Sequence, residues 1–428
     1  MPDKTSSILK SVLEKISPSQ EELKEYDKII DNFLEKVKKR IESLKIEANL
    51  FVGGSFAKKT VIKKDHYDVD VFIIFDRKYK AEDISKITKK ILNGYENLMK
   101  IHGSRDYFKI KIREDFFIEI IPVLKVNKLE EVENTTDLSF SHVRYINKKT
   151  KNKKLLDEIR LAKAFCYANG TYGAESYISG FSGYALELLI IHYGSFLSFV
   201  RAIAKDKGKD KIIIDIEKSY KNKKDILTDV SGAKLLSPIV LIDPTHKKRN
   251  ALAALSAETY MRFKKTAGKF IKKPSAEAFE IKKTDLEKVK RGAKKHEFEF
   301  SLIESRTDRQ EGDIAGSKLL KFYKHLTEEI TKFFDIKDKG FNYNKKQATR
   351  FYFVVKSKKD ILVEGPYLKD KENVKAFERI HKNYFTKKGK IYSKDKVDFT
   401  IKEFIEKWKK KNSKKIKEMD ITNLEIIE

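Results

Sequence analysis

The chain has 428 residues, 40% of them hydrophobic and 11% aromatic, so it is too long for one typical core and too apolar for a disordered protein. Lysine and arginine (93) exceed aspartate and glutamate (64), and the net charge of +29 is spread along the sequence. This excess favours a polyanionic partner, with a lysine-rich surface that is merely solvated as the alternative. Cys166 is the only cysteine, which excludes a disulfide framework and a cysteine-based zinc site.

The first 46 residues carry apolar side chains at helical spacing. Two helices are predicted, and the second follows the start signal "SPSQEE" at 17–22. The N-terminus is polar and rich in lysine and glutamate, unlike a signal peptide, so we expect a cytoplasmic protein.

Three strands are predicted next, in the stretches "NLFVGG", "VDVFIIFD" and "FFIEII". A helical stretch at 81–100 separates the last two of these strands. Strands mixed with helices indicate an α/β or α+β domain, and we place this first domain at residues 1–148.

The second strand begins with two aspartates one residue apart. Asp68 and Asp70 in "YDVDVFIIF" (67–75) leave the same face of the strand. Their Cα atoms are then about 6.5–7 Å apart. Two such carboxylates repel each other unless a cation lies between them, and hard oxygen ligands suit Mg²⁺. A solvent-facing strand start, with Asp68 capping the preceding turn, is the alternative.

A glycine pair ends the first strand in "FVGGSFAKKT" (51–60). Gly54 and Ser55 open a turn that leads to Lys58, and backbone N–H groups at such a turn form a nest for a triphosphate. A Gly-Gly-Ser turn alone is a weak signal. Its position 13–15 residues ahead of the two aspartates makes it much more specific.

A third carboxylate is needed to bridge two metal ions, and Glu119 is the candidate. It interrupts the apolar strand "FFIEIIPV", where an acid is costly to bury without a cation. Glu114 and Asp115 are fallbacks at the polar edge of the same strand.

Residues 149–275 predict a second, largely helical domain. Helices are predicted at 154–168 and 183–204, joined by a stretch rich in glycine, serine and tyrosine. Glu187 and His192 lie in the second of these helices, which argues for a buried helix rather than a membrane span. The strand "SPIVLIDP" and a helix over "KRNALAALSAETYMRFKKTAGKFI" complete this domain.

A third domain is predicted at 276–428, because the pattern restarts after "KPSAEAF". The stretches "HEFEFSLIE" and "RFYFVVKS" alternate like strands, with a helix predicted at 315–334 between them. The chain closes with a basic helical run, so this domain is predicted to be α+β.

The Gly-Ser turn and the paired aspartates resemble those of the polymerase-β-like nucleotidyltransferases. The stretch at 157–197 closely resembles the neck of archaeal-type (class I) CCA-adding enzymes, and the stretches at 240–256 and "PSAEAFE" (274–280) match that family in order and spacing. The stretch at 363–383 resembles the tail of that family more loosely. The resemblance covers most of the chain from about residue 50. It implies a multidomain α/β and α+β protein with a nucleotidyltransferase head built on a mixed sheet, a helical neck, and an α+β body and tail.

The resemblance also implies roles for single residues. The metal-binding, catalytic carboxylates of the family fall on Asp68, Asp70 and Glu119, although the first is commonly Glu and the third is Asp in the family. Because Glu119 is one methylene longer than Asp, the metal geometry or the backbone has to adjust. The nucleotide-binding positions are Gly54, Ser55, Lys58, Ser139, His142, Lys163, Tyr172 and Arg249.

Among these positions, Ser139 stands where the family usually has Thr. Lys163 and Tyr172 correspond to residues that bind the triphosphate, and Arg249 to the arginine that helps to select the base. Without the resemblance, Lys163 would equally suit a solvated helix face, and His142 would more often be a structural histidine than a ligand.

The function implied by the resemblance is template-independent addition or repair of the 3′-terminal CCA of tRNA. CTP and ATP are the substrates, two Mg²⁺ ions the cofactor, and pyrophosphate the released product. The expected partner is the acceptor stem and 3′ end of tRNA, with no membrane, and a homodimer is left open. The rivals are a poly(A) polymerase, an oligoadenylate or cyclic-dinucleotide synthase, and a catalytically dead RNA-binding homologue.

Overall fold

The structure is a computed structural model that describes residues 4–103, 105–126, 132, 134–208, 210–230, 232–282 and 284–428. It divides into two compact units, Met1–Lys282 and Lys283–Glu428. The first unit contains both the predicted head and the predicted neck. The domain boundaries drawn from the sequence at 148 and 275 stay predictions.

Two helices open the first unit, as predicted. They are α1 (Lys4–Ile16) and α2 (Gln20–Ser43). The hydroxyl of Ser19 accepts from the backbone N–H of Glu22, whose carboxylate accepts from Ser19 N–H in return, so a capping box fixes the start of α2. The apolar stripe of α2 packs against the head sheet, with Tyr26 stacked on Phe116 at 4.6 Å.

A five-stranded mixed sheet forms the head, in the order β1-β2-β5-β4-β3. Strand β2 is parallel to β5, and the other neighbours are antiparallel. The elements of this region are β1 (Ala48–Val52), α3 (Gly54–Ala57), β2 (Tyr67–Phe75), α4 (Ile84–Ile91), β3 (Leu98–Ile101), β4 (Tyr107–Arg113) and β5 (Phe116–Leu124).

The three predicted head strands are confirmed, but the helix predicted at 81–100 is too long. Helix α4 ends at Ile91, and residues 98–101 form β3, which pairs with β4. Strands β3 and β4 were not predicted. The apolar side chains of β4 alternate at Phe108 and Ile110, and both are buried in the core that α2 covers.

Six helices follow in the same unit: α5 (Ser139–Lys149), α6 (Lys153–Ala168), α7 (Gly183–Tyr193), α8 (Phe196–Lys205), α9 (Lys223–Asp229) and α10 (Ala257–Lys272). The helix predicted at 183–204 is in fact two helices. Gly194 has φ +76° and ends α7, and the hydroxyl of Ser195 accepts from Ser198 N–H at the start of α8. Residues of α6, α7, α8 and α10 share one hydrophobic core.

A three-stranded sheet lies between α8 and α10 in the sequence, made of β6 (Ile212–Ile214), β7 (Ile239–Asp243) and β8 (His246–Asn250). The helix predicted from residue 248 onward therefore starts too early. The side-chain oxygen of Asn250 accepts from the N–H groups of Leu241 and Leu252, which turns the chain after β8. Ser256 then caps α10.

In the part of the chain that the structure describes, no single helix has the length and hydropathy of a membrane span. Helices α7 and α8 pass that test only as a pair, and they are bent by 92°.

The second unit is α+β. Its four-stranded antiparallel sheet, β10-β11-β9-β15, is covered by α12 and α14, and a second sheet has the order β12-β14-β13. The predicted strands and the helix near 315–334 are confirmed, whereas the basic C-terminal run is followed by the short strand β15. The elements are α11 (Leu286–Lys295), β9 (Glu299–Arg306), α12 (Asp313–Thr331), β10 (Phe334–Tyr343), β11 (Ala348–Ser357), β12 (Asp360–Tyr367), α13 (Lys371–Ile380), β13 (Tyr384–Lys387), β14 (Lys390–Lys396), α14 (Ile401–Lys411), α15 (Ser413–Glu418) and β15 (Asn423–Ile426).

Candidate active site

The Gly-Ser turn lies directly against the strand that carries the two aspartates. Gly53 N–H donates to the backbone oxygen of Asp70 at 2.8 Å. Gly54 has φ +61°, and a Cβ on it would lie 1.8 Å from Oδ2 of Asp70. Only glycine fits at this point, both by its left-handed backbone and by the missing side chain. The turn and the carboxylate are therefore immediate neighbours.

The sheet register brings the three predicted acids together. Asp70 stands opposite Glu119 across the parallel pair of β2 and β5, and Asp68 lies on the same face of β2. Lys109 of β4 stands opposite Glu119 on its other side. Its ammonium group donates to Oδ1 of Asp68 at 2.6 Å and to Oε1 of Glu119 at 3.0 Å. Lys109 was not predicted, although the alternation of "YFKIKIR" would have placed it on this face.

The acids repel one another in this arrangement. Burial, and next the charge of Glu119, raise the pKa of Asp70 to about 7. Burial opposes the charge on Lys109, but the neighbouring Glu119 and Asp68 outweigh it and raise the pKa of that ammonium. The cluster therefore favours a positive charge beside Asp70.

The donor set fits a hard divalent cation, because it offers carboxylate oxygens whose mutual repulsion such an ion relieves. Within the described ranges, however, no three His, Cys, Asp or Glu side chains are placed to hold a metal ion together. Two of the acids are instead bound by Lys109. The fit is thus one of chemistry and charge: Asp68, Asp70 and Glu119 are the residues that would hold a divalent metal ion.

Asp115, one of the two fallbacks, has a different environment. Its carboxylate accepts from the hydroxyl of Tyr26 at 3.3 Å and lies 3.4 Å from Nε of Arg113. Its backbone oxygen accepts from Tyr67 N–H at the start of β2. The other fallback, Glu114, is exposed and paired with Lys111. Both surroundings are those of strand-end residues.

Glu119→Gln is expected to lower kcat about 100-fold while RNA binding stays within about threefold, because the carboxylate charge is lost at the reacting centre. Asp115→Asn, on the same strand-turn segment, is the control and should leave kcat within about threefold. Steady-state kinetics and a gel-shift titration measure both quantities. A large loss of kcat in Asp115→Asn, with normal activity in Glu119→Gln, would contradict the assignment of Glu119 as the third acid of the site.

A buried charge cluster lies beneath the turn. The carboxylate of Glu187 in α7 accepts from Lys58 and Lys163, each at 2.7 Å, and from the hydroxyl of Thr60 at 3.0 Å. Lys163 also donates to the Thr60 hydroxyl at 2.7 Å. All four side chains are buried. We call Lys58, Thr60, Lys163 and Glu187 the lysine clasp.

The lysine clasp joins two ammonium groups to one carboxylate. Burial raises the pKa of Glu187, but the two ammonium groups outweigh burial and lower it to about 2. Burial lowers the pKa of Lys163 to about 8. The clasp therefore carries a net positive charge next to Gly54 and Ser55, which suits a polyphosphate nearby.

Lys163 and Tyr172 border a small cavity of about 90 Å³ together with Ser55 and Asp68. The ring of Tyr172 faces the ammonium group of Lys64 at 5.1 Å. Its hydroxyl lies 2.9 Å from where a Cβ of Gly183 would stand, so that glycine leaves room for the phenol. Both predicted triphosphate residues thus lie on the neck side of Ser55.

A larger cavity of about 390 Å³ extends from the acids along α5. Asp70 and Glu119 line it, together with Ser139, His142 and Tyr184. Arg105 and Tyr107, which were not predicted, contribute as well, and Arg105 is held by Asp137 at 2.7 Å. Nothing in the local sequence marks these residues, because they reach the cavity only through the pairing of β4 with β5.

His142 and Arg249 meet at a buried carboxylate that was also not predicted. Nε2 of His142 and Nη1 of Arg249 lie 3.1 and 2.6 Å from Oδ2 of Asp243, the last residue of β7. The hydroxyl of Tyr184 donates to Oδ1 at 2.8 Å, and the imidazole of His142 stacks on the Tyr184 ring at 3.8 Å. His142 and Arg249, which are 107 positions apart in the sequence, thus both contact the carboxylate of Asp243.

Two family models match this sequence. Residues 157–280 match the second domain of tRNA nucleotidyltransferases, and residues 19–134 match a nucleotidyltransferase domain. The first range contains Lys163, Tyr172 and Arg249, and the second contains the Gly-Ser turn and all three acids. The two matches therefore cover most of the candidate site.

Several CCA-adding enzymes are similar to the chain. It is 41% identical over 213 residues to that of Nanoarchaeum equitans, an alignment that covers 50% of this chain and 52% of that enzyme. It is 30% identical over 402 residues to that of Methanocaldococcus jannaschii, covering 90% of this chain and 86% of that enzyme. The chain therefore aligns with about half of the first relative and with most of the second.

Among solved structures, the chain is similar to the Cid1 poly(U) polymerase with Mg and 3′-dATP bound. The TM-score is 0.51 at 14% identity, over 64% of this chain and 98% of that one. At this identity the likeness concerns the fold, and it agrees with the mixed-sheet nucleotidyltransferase architecture predicted from the sequence.

Proposed function

The chain belongs to the family of CCA-adding enzymes, which are tRNA nucleotidyltransferases, and on this premise we propose that it builds or repairs the 3′-terminal CCA of tRNA from CTP and ATP without a template. One observation supports this most: Asp70 and Glu119 line the same cavity as His142 and Tyr184. In the proposed function the acids serve the reacting phosphate and the aromatic pair serves the base of the same nucleotide.

In the proposed reaction the 3′-hydroxyl oxygen of tRNA attacks the α-phosphorus of the nucleotide. A phosphodiester bond forms, the α–β anhydride bond breaks, and pyrophosphate leaves. Asp68, Asp70 and Glu119 would hold Mg²⁺, which when bound acidifies the attacking hydroxyl and neutralises the leaving pyrophosphate.

The residues around the turn position the triphosphate. Backbone N–H groups at Gly54 and Ser55 offer donors, and the lysine clasp supplies positive charge behind them. Lys163 and Tyr172 would face the phosphates across the small cavity that they line together with Ser55. Catalysis in this proposal is mainly alignment and charge neutralisation, as is usual for phosphoryl transfer.

In this proposal the base of the nucleotide is selected by Arg249 together with phosphates of the bound RNA.

The RNA partner is inferred from the positive charge of the second unit. We propose that lysines of the second unit, such as those on α14, contact the RNA backbone, which proteins recognise on A-form helices mainly by shape and phosphate contacts. The location that goes with this function is cytoplasmic.

A product assay tests the function. A tRNA that lacks its CCA end is incubated with CTP alone, ATP alone or both, and the added nucleotides are sequenced. We expect two C residues with CTP alone and a complete CCA with both. A long A-tail made without use of CTP would contradict the proposal and favour a poly(A) polymerase. The absence of any addition would favour a dead RNA-binding homologue.

A further inference from the structure

The side chain of Asp243 is a buried hub for groups from four places in the chain. It accepts from His142 of α5, Tyr184 of α7 and Arg249 of β8. Thr245 adds two more donors, its N–H and its hydroxyl, each 2.8 Å from Oδ1. A carboxylate offers about four lone-pair sites, so this one is fully used. Asp243 itself has no exposed surface.

Three of the donors around Asp243 come from side chains that the proposed function assigns to the base of the nucleotide. His142 and Tyr184 line the large cavity and stack on each other. Arg249 is about one-quarter exposed, and the Asp243 contact uses Nη1, one end of its planar fork. A long arginine side chain samples many rotamers unless a partner fixes it. The hydrogen bond from the Arg249 guanidinium to the Asp243 carboxylate restricts this freedom.

The ionisation of the hub agrees with this geometry. Burial raises the pKa of Asp243, but the contacts with His142, Arg249 and the Thr245 N–H outweigh burial and hold it well below its usual range. Because a carboxylate only accepts hydrogen bonds, Nε2 of His142 carries a hydrogen. The hub thus fixes the orientation of both side chains.

We propose that Asp243 is a positioning residue that fixes Arg249 beside the His142–Tyr184 stack, and that through Arg249 it maintains selection for CTP and ATP over UTP and GTP. The inference rests on the proposed function. Cytosine and adenine both present a ring nitrogen that accepts a hydrogen bond, where uracil and guanine present an N–H donor. A guanidinium has only donors, so its fixed position discriminates between the two pairs.

Asp243→Asn in the full-length chain tests this, because asparagine keeps the shape and removes the charge that holds Arg249. We expect the KM for CTP to rise about 10-fold and the ratio of CTP to UTP incorporation to fall at least 10-fold. The kcat at saturating CTP and the affinity for tRNA should stay within about threefold, since the reacting end of the site is unchanged.

The matched control is Asp206→Asn. Asp206 lies in the same unit and likewise accepts from a tyrosine hydroxyl, a cationic side chain and a backbone N–H, namely those of Tyr260, Lys264 and Gly208. It does not line the large cavity. This variant should leave the CTP-to-UTP ratio unchanged, whatever it does to the melting temperature.

A double-variant cycle separates positioning from general stability. If Asp243 acts through Arg249, Asp243→Asn should change the CTP-to-UTP ratio by less than about twofold in an Arg249→Ala background. Should Asp243→Asn not fold, Thr245→Val removes one hydrogen bond from the same carboxylate and should shift the ratio in the same direction by about two- to threefold.

An unchanged ratio in Asp243→Asn or in its substitute Thr245→Val, or a full effect in the Arg249→Ala background, would overturn the positioning role. These outcomes are distinct from failure of the proposed function itself. In that case the unmodified chain would add neither CTP nor ATP to tRNA lacking CCA.

Discussion

Asp70→Asn is expected to abolish nucleotide addition and, at pH 8, to make the protein more stable. The loss of activity follows from the position of Asp70 between the Gly-Ser turn and Glu119. Metal ligands at a transferring phosphate are worth several kcal/mol in the transition state, which corresponds to about 10³-fold or more in kcat. Binding of tRNA should change by no more than a few-fold.

The gain in stability follows from the raised pKa of Asp70. Its pKa is about 7 in the folded protein against an ordinary 3.8, so the folded state binds the proton more tightly. Wild-type stability therefore falls as the pH rises from about 4 to 7, and the asparagine variant lacks this loss. Because one pKa unit is about 1.4 kcal/mol, we expect a gain on the order of 2–4 kcal/mol at pH 8.

Chemical denaturation in EDTA at pH 4 and pH 8 measures this difference. The two proteins should be nearly equal at pH 4 and differ at pH 8. Added MgCl₂ should narrow the difference, because a cation bound to the acids stabilises only the wild type. If Asp70→Asn were less stable at pH 8, the carboxylate would be satisfied by contacts that offset its burial, and the repulsive cluster would be the wrong description.

Glu187→Gln is expected to reduce the free energy of unfolding by about 3–5 kcal/mol, the usual cost of removing one partner from a buried ion pair. The amide leaves Lys58 and Lys163 buried without a counter-charge. The pKa of Glu187 is about 2 when folded and 4.5 ordinarily, so its contribution is complete above about pH 5. It is lost as the pH falls from there toward 2.

The control for this variant is Glu258→Gln on α10. Glu258 pairs with Arg262 at 3.5 Å, but both side chains are more than half exposed. Such a pair contributes at most about 1 kcal/mol. Urea denaturation at pH 7 compares the two variants, and equal losses would rule out a special role for the lysine clasp. In the Glu187→Gln background, Lys163→Met should recover part of the lost stability, since it removes one of the stranded charges.

Local patterns were sufficient to predict the elements that carry the acids. The alternation in "YDVDVFIIF" and the apolar run around Glu119 predicted β2 and β5, and the structure pairs these strands in the register that places Asp70 beside Glu119. The Gly-Ser turn was also predictable, because only glycine tolerates the backbone at Gly54 and the contact with Asp70. Similarity to a known family added the neck residues, which no local pattern singles out.

The missed features depend on contacts between distant parts of the chain. Lys109 becomes part of the site only through the pairing of β4 with β5, and Asp243 only through the approach of α5, α7 and β8. The break after Tyr193 and the turn at Asn250 depend on single capping and side-chain hydrogen bonds. The spacing of hydrophobic residues does not indicate such bonds. The helices predicted at 183–204 and from residue 248 onward were therefore too long.

The contact between Gly54 and Asp70 has an evolutionary consequence. The backbone bond from Gly53 to Asp70 and the missing Cβ at Gly54 join the Gly-Ser turn and strand β2 into one closely packed unit. Neither position can drift without disturbing the other, whereas the base end is assembled from separate elements that meet at Asp243. A substitution at Gly54 is therefore expected to disturb Asp70 as well, so these two positions are expected to change only together.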